Sequence, residues 1–292
     1  MIEAPKCVIC DGEIRRLRKA LVAPFLAQRI WNRTPFYVDL ARCRECGFMF
    51  YNPRLEHAEE SRLYQGYRSE EYQRMRQSSE PWYTASFNVS LASPASYELR
   101  RRTLGTILRQ HVGERAIKRV LDYGGDRGDL VRGLVEGAEA FVYDISGILP
   151  VDGVASTTDP AGCKADLVIN SNVLEHVGFP RHVVAKMLKE TPPGSLVFVE
   201  VPCEAPLAAT RILKRVAQIG IMALMRPGLA RSVLRPASIF MMHEHVNYFT
   251  VQSLAILMQS CGCAVKAAGS YTLDGSAAGG TLVWSLGMTV ES

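Results

Sequence analysis

Residues 120–128 read Val120-Leu121-Asp122-Tyr123-Gly124-Gly125-Asp126-Arg127-Gly128, and this stretch decides the fold. A short apolar strand runs straight into a glycine turn, and Leu130, Val131, Leu134 and Val135 then follow at helical spacing. Strand, glycine turn and helix in that order open a doubly wound nucleotide-binding unit. A second strand, Ala140-Phe141-Val142-Tyr143, ends at Asp144, 20 residues after Gly124. A carboxylate at that strand end can accept hydrogen bonds from both ribose hydroxyls of a nucleoside.

The alternation continues on both sides. Asp166-Leu167-Val168-Ile169-Asn170 reads as a buried strand, Val183, Val184, Met187 and Leu188 line a helix, and Pro192-Pro193-Gly194 ends it. Ser195-Leu196-Val197-Phe198-Val199-Glu200-Val201 is a further strand, and Leu254, Leu257 and Met258 mark a later helix. Cys263-Ala264-Val265 and Gly280-Thr281-Leu282-Val283-Trp284 read as closing strands. Upstream, Tyr97, Leu104, Ile107 and Leu108 recur at helical spacing, and Arg100, Arg101, Arg102 and Arg109 read as the solvated side of that helix. Strands separated by helices predict an α/β fold with a mostly parallel sheet covered on both faces.

Ahead of this region, Cys7-x-x-Cys10 and Cys43-x-x-Cys46 form two thiol pairs separated by 32 residues. Each pair sets two sulfurs on one side of a tight knuckle, and two knuckles can close a tetrahedral thiolate cage around zinc. Gly47 suits the left-handed position such knuckles need, and Phe36-Tyr37-Val38 and Phe48-Met49-Phe50-Tyr51 can supply strands around the site. A closed four-sulfur site leaves no open position for substrate, so the expected zinc is structural. The stretch from Glu56 to Trp82 is polar and Tyr-rich. It reads either as a solvated connector or as a substrate-facing flap carrying Tyr64, Tyr67 or Tyr72.

Composition narrows the class. Of 292 residues, 48% are hydrophobic and 22% charged, which excludes disorder and low complexity. The net charge of +5 is mild for a dedicated nucleic-acid binder. The opening stretch MIEAPKCVICDGEIRR holds no apolar run and the window from Val216 to Leu224 is too short to span a bilayer, so a cytoplasmic protein is expected. Eight cysteines in a reducing compartment fit metal ligands and buried thiols.

The string from Val120 to Gly128, then Tyr143-Asp144, Asp166-Leu167-Val168-Ile169-Asn170 and Leu174-Glu175-His176-Val177, resembles the class I S-adenosylmethionine-dependent methyltransferases over roughly residues 97–288. The paired C-x-x-C segment followed by Asn52-Pro53-Arg54 is similar to the zinc-binding segment that precedes many such domains. Glu200-Val201-Pro202 and His243-Glu244-His245-Val246-Asn247-Tyr248-Phe249 look like the sugar C-methyltransferase branch. The resemblance implies a zinc-binding module over 1–55, a connector or flap over 56–95, and a Rossmann-like methyltransferase domain over 96–292 with a basic insertion at 204–242. It implies that Asp122, Gly124 and Gly128 shape the methionine end of the S-adenosylmethionine pocket. Asp144 then holds the ribose, and Asn170 and Ser171 lie near the methionine. It also implies His245 as base with Glu244 beside it, and His176 lining the site. Two positions depart from the pattern: Asp126 replaces the middle glycine of the turn, and Met242 stands where a tyrosine is usual.

Methyl transfer is an in-line displacement at an already activated sulfonium, so the protein mainly positions the reactants and excludes water. A base matters only if the acceptor must lose a proton, and imidazole titrates near working pH. His245 suits that role, with His243 as an alternative. Between Glu204 and Glu244 there is no acid, while Arg211, Lys214, Arg215, Arg226, Arg231 and Arg235 give +6. This insertion reads as a lid whose Arg forks hold a substrate diphosphate, as an amphipathic helix on an anionic membrane, or as a helical insertion packed on the sheet. The lid is preferred over the membrane contact, because most of the net charge sits here.

The expected function is therefore methyl transfer to a phosphate-bearing small molecule, a nucleotide-linked sugar or glycan precursor. One rival is a zinc-ribbon RNA methyltransferase, disfavoured because residues 1–80 carry 14 basic and 11 acidic side chains. The other is an inactive cofactor-binding partner protein, kept open by Asp126 and Met242.

Overall fold

The computed structural model describes residues 1–67, 69–84, 86, 94–113, 115–273 and 280–290; residues 87–93 of the expected connector lie outside them. Along the chain the strands are β1 (Ile14–Leu21), β2 (Tyr37–Cys43), β3 (Met49–Asn52), β4 (Arg119–Tyr123), β5 (Glu139–Tyr143), β6 (Val154–Ser156), β7 (Leu167–Ser171), β8 (Leu196–Pro202), β9 (Asn247–Tyr248), β10 (Cys263–Thr272) and β11 (Thr281–Thr289). The helices are α1 (Pro24–Trp31), α2 (His57–Tyr64), α3 (Glu70–Ser79), α4 (Pro94–Val112), α5 (Pro180–Lys189), α6 (Ala209–Met225), α7 (Pro227–Val233) and α8 (Val251–Ser260). They form two compact units: Met1–Ser90 with Glu175–Phe179 and Glu204–Tyr248, and Leu91–Leu174 with Pro180–Cys203 and Phe249–Ser292.

The second unit holds a seven-stranded sheet in the order β10-β11-β8-β7-β4-β5-β6. The five strands from β8 to β6 are parallel, and the chain winds outward from β4 first to β5 and β6, then back through β7 to β8. The winding reverses between β4 and β7, and ligands of such sheets bind beyond the strand ends at that switch point. Val120, Leu167, Ile169, Leu196 and Phe198 pack with Leu104, Ile107 and Leu108 of α4 in one cluster. Their strand neighbours Leu121, Val168, Val197 and Val199 point the other way and are equally buried, so both faces are covered.

The sheet is mostly parallel as expected, and its closing strands β10 and β11 are antiparallel to each other, with β11 antiparallel to β8. Among the described residues no helix separates β10 from β11, and a parallel connection requires a crossover. One expectation needs correction. The residues after Gly128 form successive tight turns, with Val131 N–H bonded to Gly128 C=O and Leu134 N–H to Val131 C=O. Gly133 sits at φ +68°, which interrupts any helix there, although Leu130 and Val131 remain in the core.

The first unit is built on an antiparallel sheet in the order β1-β2-β3-β9. Its core joins Phe25 and Leu26 of α1 and Leu40 of β2 to Ile219 and Met222 of α6, Val233 of α7 and Met242. The basic insertion and the N-terminal segment thus share one core. At its centre lies Arg54, 1% exposed, whose guanidinium donates to the carbonyls of Tyr51, Val177, Gly178 and Val246. Four carbonyls spread over three distant stretches satisfy a cation that has no water around it. Among the described residues, no helix is long and apolar enough to cross a membrane.

Candidate functional site

In the second unit the predicted cofactor residues meet at the switch point. The Asp122 carboxylate, 1% exposed, lies so close beneath the turn that a Cβ on Gly125 would fall 2.0 Å from its Cγ. Only glycine fits there. Gly128 turns at φ +75° against Val154, and Asp126 itself adopts φ +56°. The Asp144 carboxylate accepts the backbone N–H groups of Asp126 and Ser146, both at 2.8 Å, which fixes it beside the turn. Asn170 donates its Nδ2 to the Tyr123 carbonyl at 2.8 Å, tying the end of β7 to that of β4.

Burial pushes the Asp122 carboxyl up to about 7, although Arg100 pulls it the other way. Its Oδ1, and Oδ1 of Asn170, are buried with no hydrogen-bond partner among the described residues. Two orphaned acceptors beside a glycine turn fit a ligand that brings N–H donors, as the amino group and adenine of S-adenosylmethionine do.

The ends of β7 and β8 carry a network that helix periodicity missed. Arg100 is 8% exposed, and its guanidinium meets Glu200 at 2.6 Å and also bonds Ser171. Ser171 donates to Glu200 at 2.7 Å, and Tyr271 donates its hydroxyl to the same carboxylate. The solvated reading of Arg100 is therefore corrected: it lies four residues before Leu104 and seven before Ile107, on the buried stripe.

In the first unit, Cys7, Cys10, Cys43 and Cys46 bring their sulfurs within 4.8 Å of one another, with 3.7 Å from Cys7 to Cys46 and 3.5 Å from Cys10 to Cys43. Four Zn–S bonds in a tetrahedron place sulfurs about 3.8 Å apart, so the donor set and its spacing fit zinc. Gly47 takes φ +74° at the second knuckle, and the expected strands are present as β2 and β3.

The same unit gathers the three predicted catalytic residues and adds a fourth. His245 Nδ1 lies 3.0 Å from Glu204 Oε2. A carboxylate only accepts, so Nδ1 carries the hydrogen and Nε2 presents its lone pair in the neutral ring. Burial lowers the His245 pKa, but the hydrogen bond and charge of Glu204, with Glu175 and Glu244, more than offset it and hold it above the ordinary value. Burial likewise works against Glu204, yet His245 and Arg211 keep its carboxyl down at about 2.

His176 lies edge-on to His245 with ring centroids 4.7 Å apart, and its Nδ1 donates to the Glu244 carbonyl at 3.2 Å. Burial and the neighbouring His245 pull its pKa down to about 3, so it stays neutral. Glu175, His176 and His245 bring one donor atom each within 4.8 Å, close enough to share a proton or a cation. Tyr64 stands edge-on to His176, and its buried hydroxyl has no partner among the described residues.

Glu244 has other partners than His245. Its carboxylate accepts the Tyr72 hydroxyl at 2.7 Å and the Arg76 guanidinium at 2.9 Å. His243 takes the Glu244 backbone N–H on Nδ1 at 2.8 Å and meets Glu80 through Nε2. With both nitrogens engaged, His243 has no lone pair to serve as base. Met242 is 1% exposed and exchanges backbone hydrogen bonds with Leu21 and Ala23, so its side chain belongs to the core. In the insertion, Arg211 is paired with Glu204, and Arg226 donates to the carbonyls of Ser78 and Gln77.

Several solved structures are similar to this chain. One is the 1,6-didemethyltoxoflavin-N1-methyltransferase of Burkholderia thailandensis, at 16% identity over 66% of this chain and 79% of that one, TM-score 0.43. Another is the magnesium protoporphyrin IX methyltransferase of Synechocystis PCC 6803, at 13% identity over 67% and 84%, TM-score 0.42. Human N-acetylserotonin methyltransferase matches at 15% identity over 79% of this chain and 59% of that one, TM-score 0.42. No curated protein matches the chain in sequence. The sequence profile of the methyltransferase domain matches residues 96–268. That span takes in more than half of the chain and both strand ends of the switch point, and the chain accordingly belongs to the methyltransferase-domain family, as an S-adenosylmethionine-dependent methyltransferase.

Proposed function

We propose that the chain methylates a phosphate-bearing small molecule, a nucleotide-linked sugar or related glycan precursor, with His245 as general base. The observation that carries this reading is the 3.0 Å contact between Glu204 and His245 Nδ1. It fixes the tautomer and leaves Nε2 able to take a proton from the acceptor. S-adenosylmethionine, when bound, supplies an electrophilic methyl group on a sulfonium. Asp122, Gly124, Gly128, Asp144 and Asn170 would hold it, with Ser171 presented through its bonds to Arg100 and Glu200.

On this reading His176, neutral at working pH, accepts a hydrogen bond from the acceptor, and the Tyr64 ring stands edge-on to it. On the same reading Arg215 is the insertion cation that meets the substrate phosphate, since Arg211 and Arg226 are engaged internally. Cys7, Cys10, Cys43 and Cys46 hold a structural zinc, and a cytoplasmic setting suits free thiolates.

The test is methyl-label transfer from S-adenosylmethionine to a panel of nucleotide sugars with and without a keto group. His245→Ala is expected to abolish transfer and leave S-adenosylhomocysteine affinity within about twofold. Near-normal turnover by that variant removes the base assignment. Affinity for S-adenosylhomocysteine without transfer to any panel member favours the cofactor-binding partner protein, whose support is the left-handed Asp126 in the glycine turn.

A further inference from the structure

The helix α6 is inverted for a surface helix. Ile219 and Met222 anchor one side in the core of the first unit. The side turned away from that core carries Leu213, Val216, Ile221 and Leu224, with Leu213 68% and Leu224 82% exposed. At 100° per residue, Leu213, Val216, Ile221 and Leu224 fall within one arc opposite the buried pair, so the outward face is itself a continuous apolar stripe. Met225, the last residue of α6, and Leu234, just after α7, are also exposed. A soluble surface helix carries polar residues there, and an apolar stripe of this length marks a contact surface.

The charge around the stripe selects the occupant. Residues 205–243 contain six Lys and Arg and no acid. Lys214 borders the stripe, and Arg231 and Arg235 lie beyond it, all three exposed. A second copy of this chain docking through the same face would set these cations against their own images. A surface of anionic lipid neutralises them and receives the leucines between the headgroups. The 17-residue helix is about 25 Å long, which suits lying in the interface plane.

We propose that the α6–α7 segment is a peripheral docking surface for an anionic lipid bilayer. Leu213, Val216, Ile221 and Leu224 enter the headgroup layer, and Lys214, Arg231 and Arg235 face the lipid phosphates. The assignment stands apart from the identity of the methyl acceptor, because its readout is binding to vesicles.

The experiment is cosedimentation of the full chain with vesicles of phosphatidylcholine containing one-third phosphatidylglycerol, against vesicles of phosphatidylcholine alone. The full chain is expected to bind the anionic vesicles at least about tenfold more tightly, and to lose most of that difference at about 1 M salt. Leu213→Asp with Leu224→Asp lowers binding about tenfold or more, and Lys214→Gln with Arg231→Gln removes the preference for anionic lipid while keeping residual adhesion. All four positions are exposed, so the variants keep the parent's unfolding midpoint and methyl transfer from S-adenosylmethionine in solution. Failure of the full chain to bind anionic vesicles overturns the proposal. Equal binding by the double Asp variant overturns it too. A concentration-dependent dimer abolished by the Asp pair, without vesicle binding, assigns the face to a second copy instead.

Discussion

Glu204 and His245 are 41 positions apart in the chain, and their side chains meet at 3.0 Å with the carboxylate on Nδ1. Replacing Glu204 by Gln removes the charge that sustains the imidazolium. We expect turnover of E204Q to fall about tenfold to a hundredfold. The base must be neutral to work, and a raised pKa delays that to higher pH, so the rise of activity with pH moves toward acid in E204Q. In stability terms, the raised His245 pKa contributes below about 6.5 and that contribution is lost as pH rises through the folded value. A pH–rate profile with an unmoved midpoint would show that another group is the base.

Asp122 supplies the second prediction. Its carboxyl stands at about 7 in the fold against an ordinary 3.8, because burial disfavours the anion. The folded chain therefore holds that proton more tightly. Its stabilising effect is complete below about pH 4 and lost as pH rises toward 7, an amount on the order of 4 kcal/mol. Asp122→Asn should flatten the urea midpoint of the ligand-free protein between pH 4 and pH 8, and weaken S-adenosylhomocysteine at least tenfold by calorimetry. Parallel pH curves for the two proteins would place the charge elsewhere.

Arg100 and Glu200 form a buried ion pair at 2.6 Å. Arg100→Met strands a carboxylate that is 1% exposed, and the expected loss is about 3–5 kcal/mol. Adding Glu200→Gln should recover part of it. Denaturant unfolding of the single and double variants measures both, and simple additivity would mean the pair does not interact.

Metal analysis addresses the thiolate cluster. One equivalent of zinc per chain is expected in reduced protein, and a strong chelator should lower the unfolding midpoint as it removes the metal. Cys43→Ser should do the same without chelator. Zinc-free protein with an unchanged midpoint would leave the four cysteines as ordinary buried thiols.

How much of this was legible depended on whether the signal was local. Val120–Gly128 and Asp144 could be read because a strand, a turn and an acid lie in one short window, and the paired C-x-x-C because its spacing is itself the geometry. The turns after Gly128 were misread as a helix, since Leu130, Val131, Leu134 and Val135 keep helical spacing while Gly133 takes a positive φ. Arg100 was misread because charge suggested solvent, when its spacing to Leu104 already placed it on the buried stripe. Glu244 adjoins His245 in sequence, yet its carboxylate bonds Tyr72 and Arg76, and it is Glu204 that reaches the ring. Contacts between distant side chains leave no period to read.

Arg54 sets an order of events during synthesis. Its guanidinium is satisfied only when carbonyls from residues 177, 178 and 246 have arrived. A nascent chain that has released its first 90 residues from the ribosome still lacks the distant partners for that cation and all of the α6 and α7 side chains that complete the same core. The N-terminal segment must wait, with its thiols already available to metal, until residue 246 has emerged. On the proposed zinc role, metal capture precedes closure of the core by the time needed to translate some 150 residues, on the order of ten seconds or more.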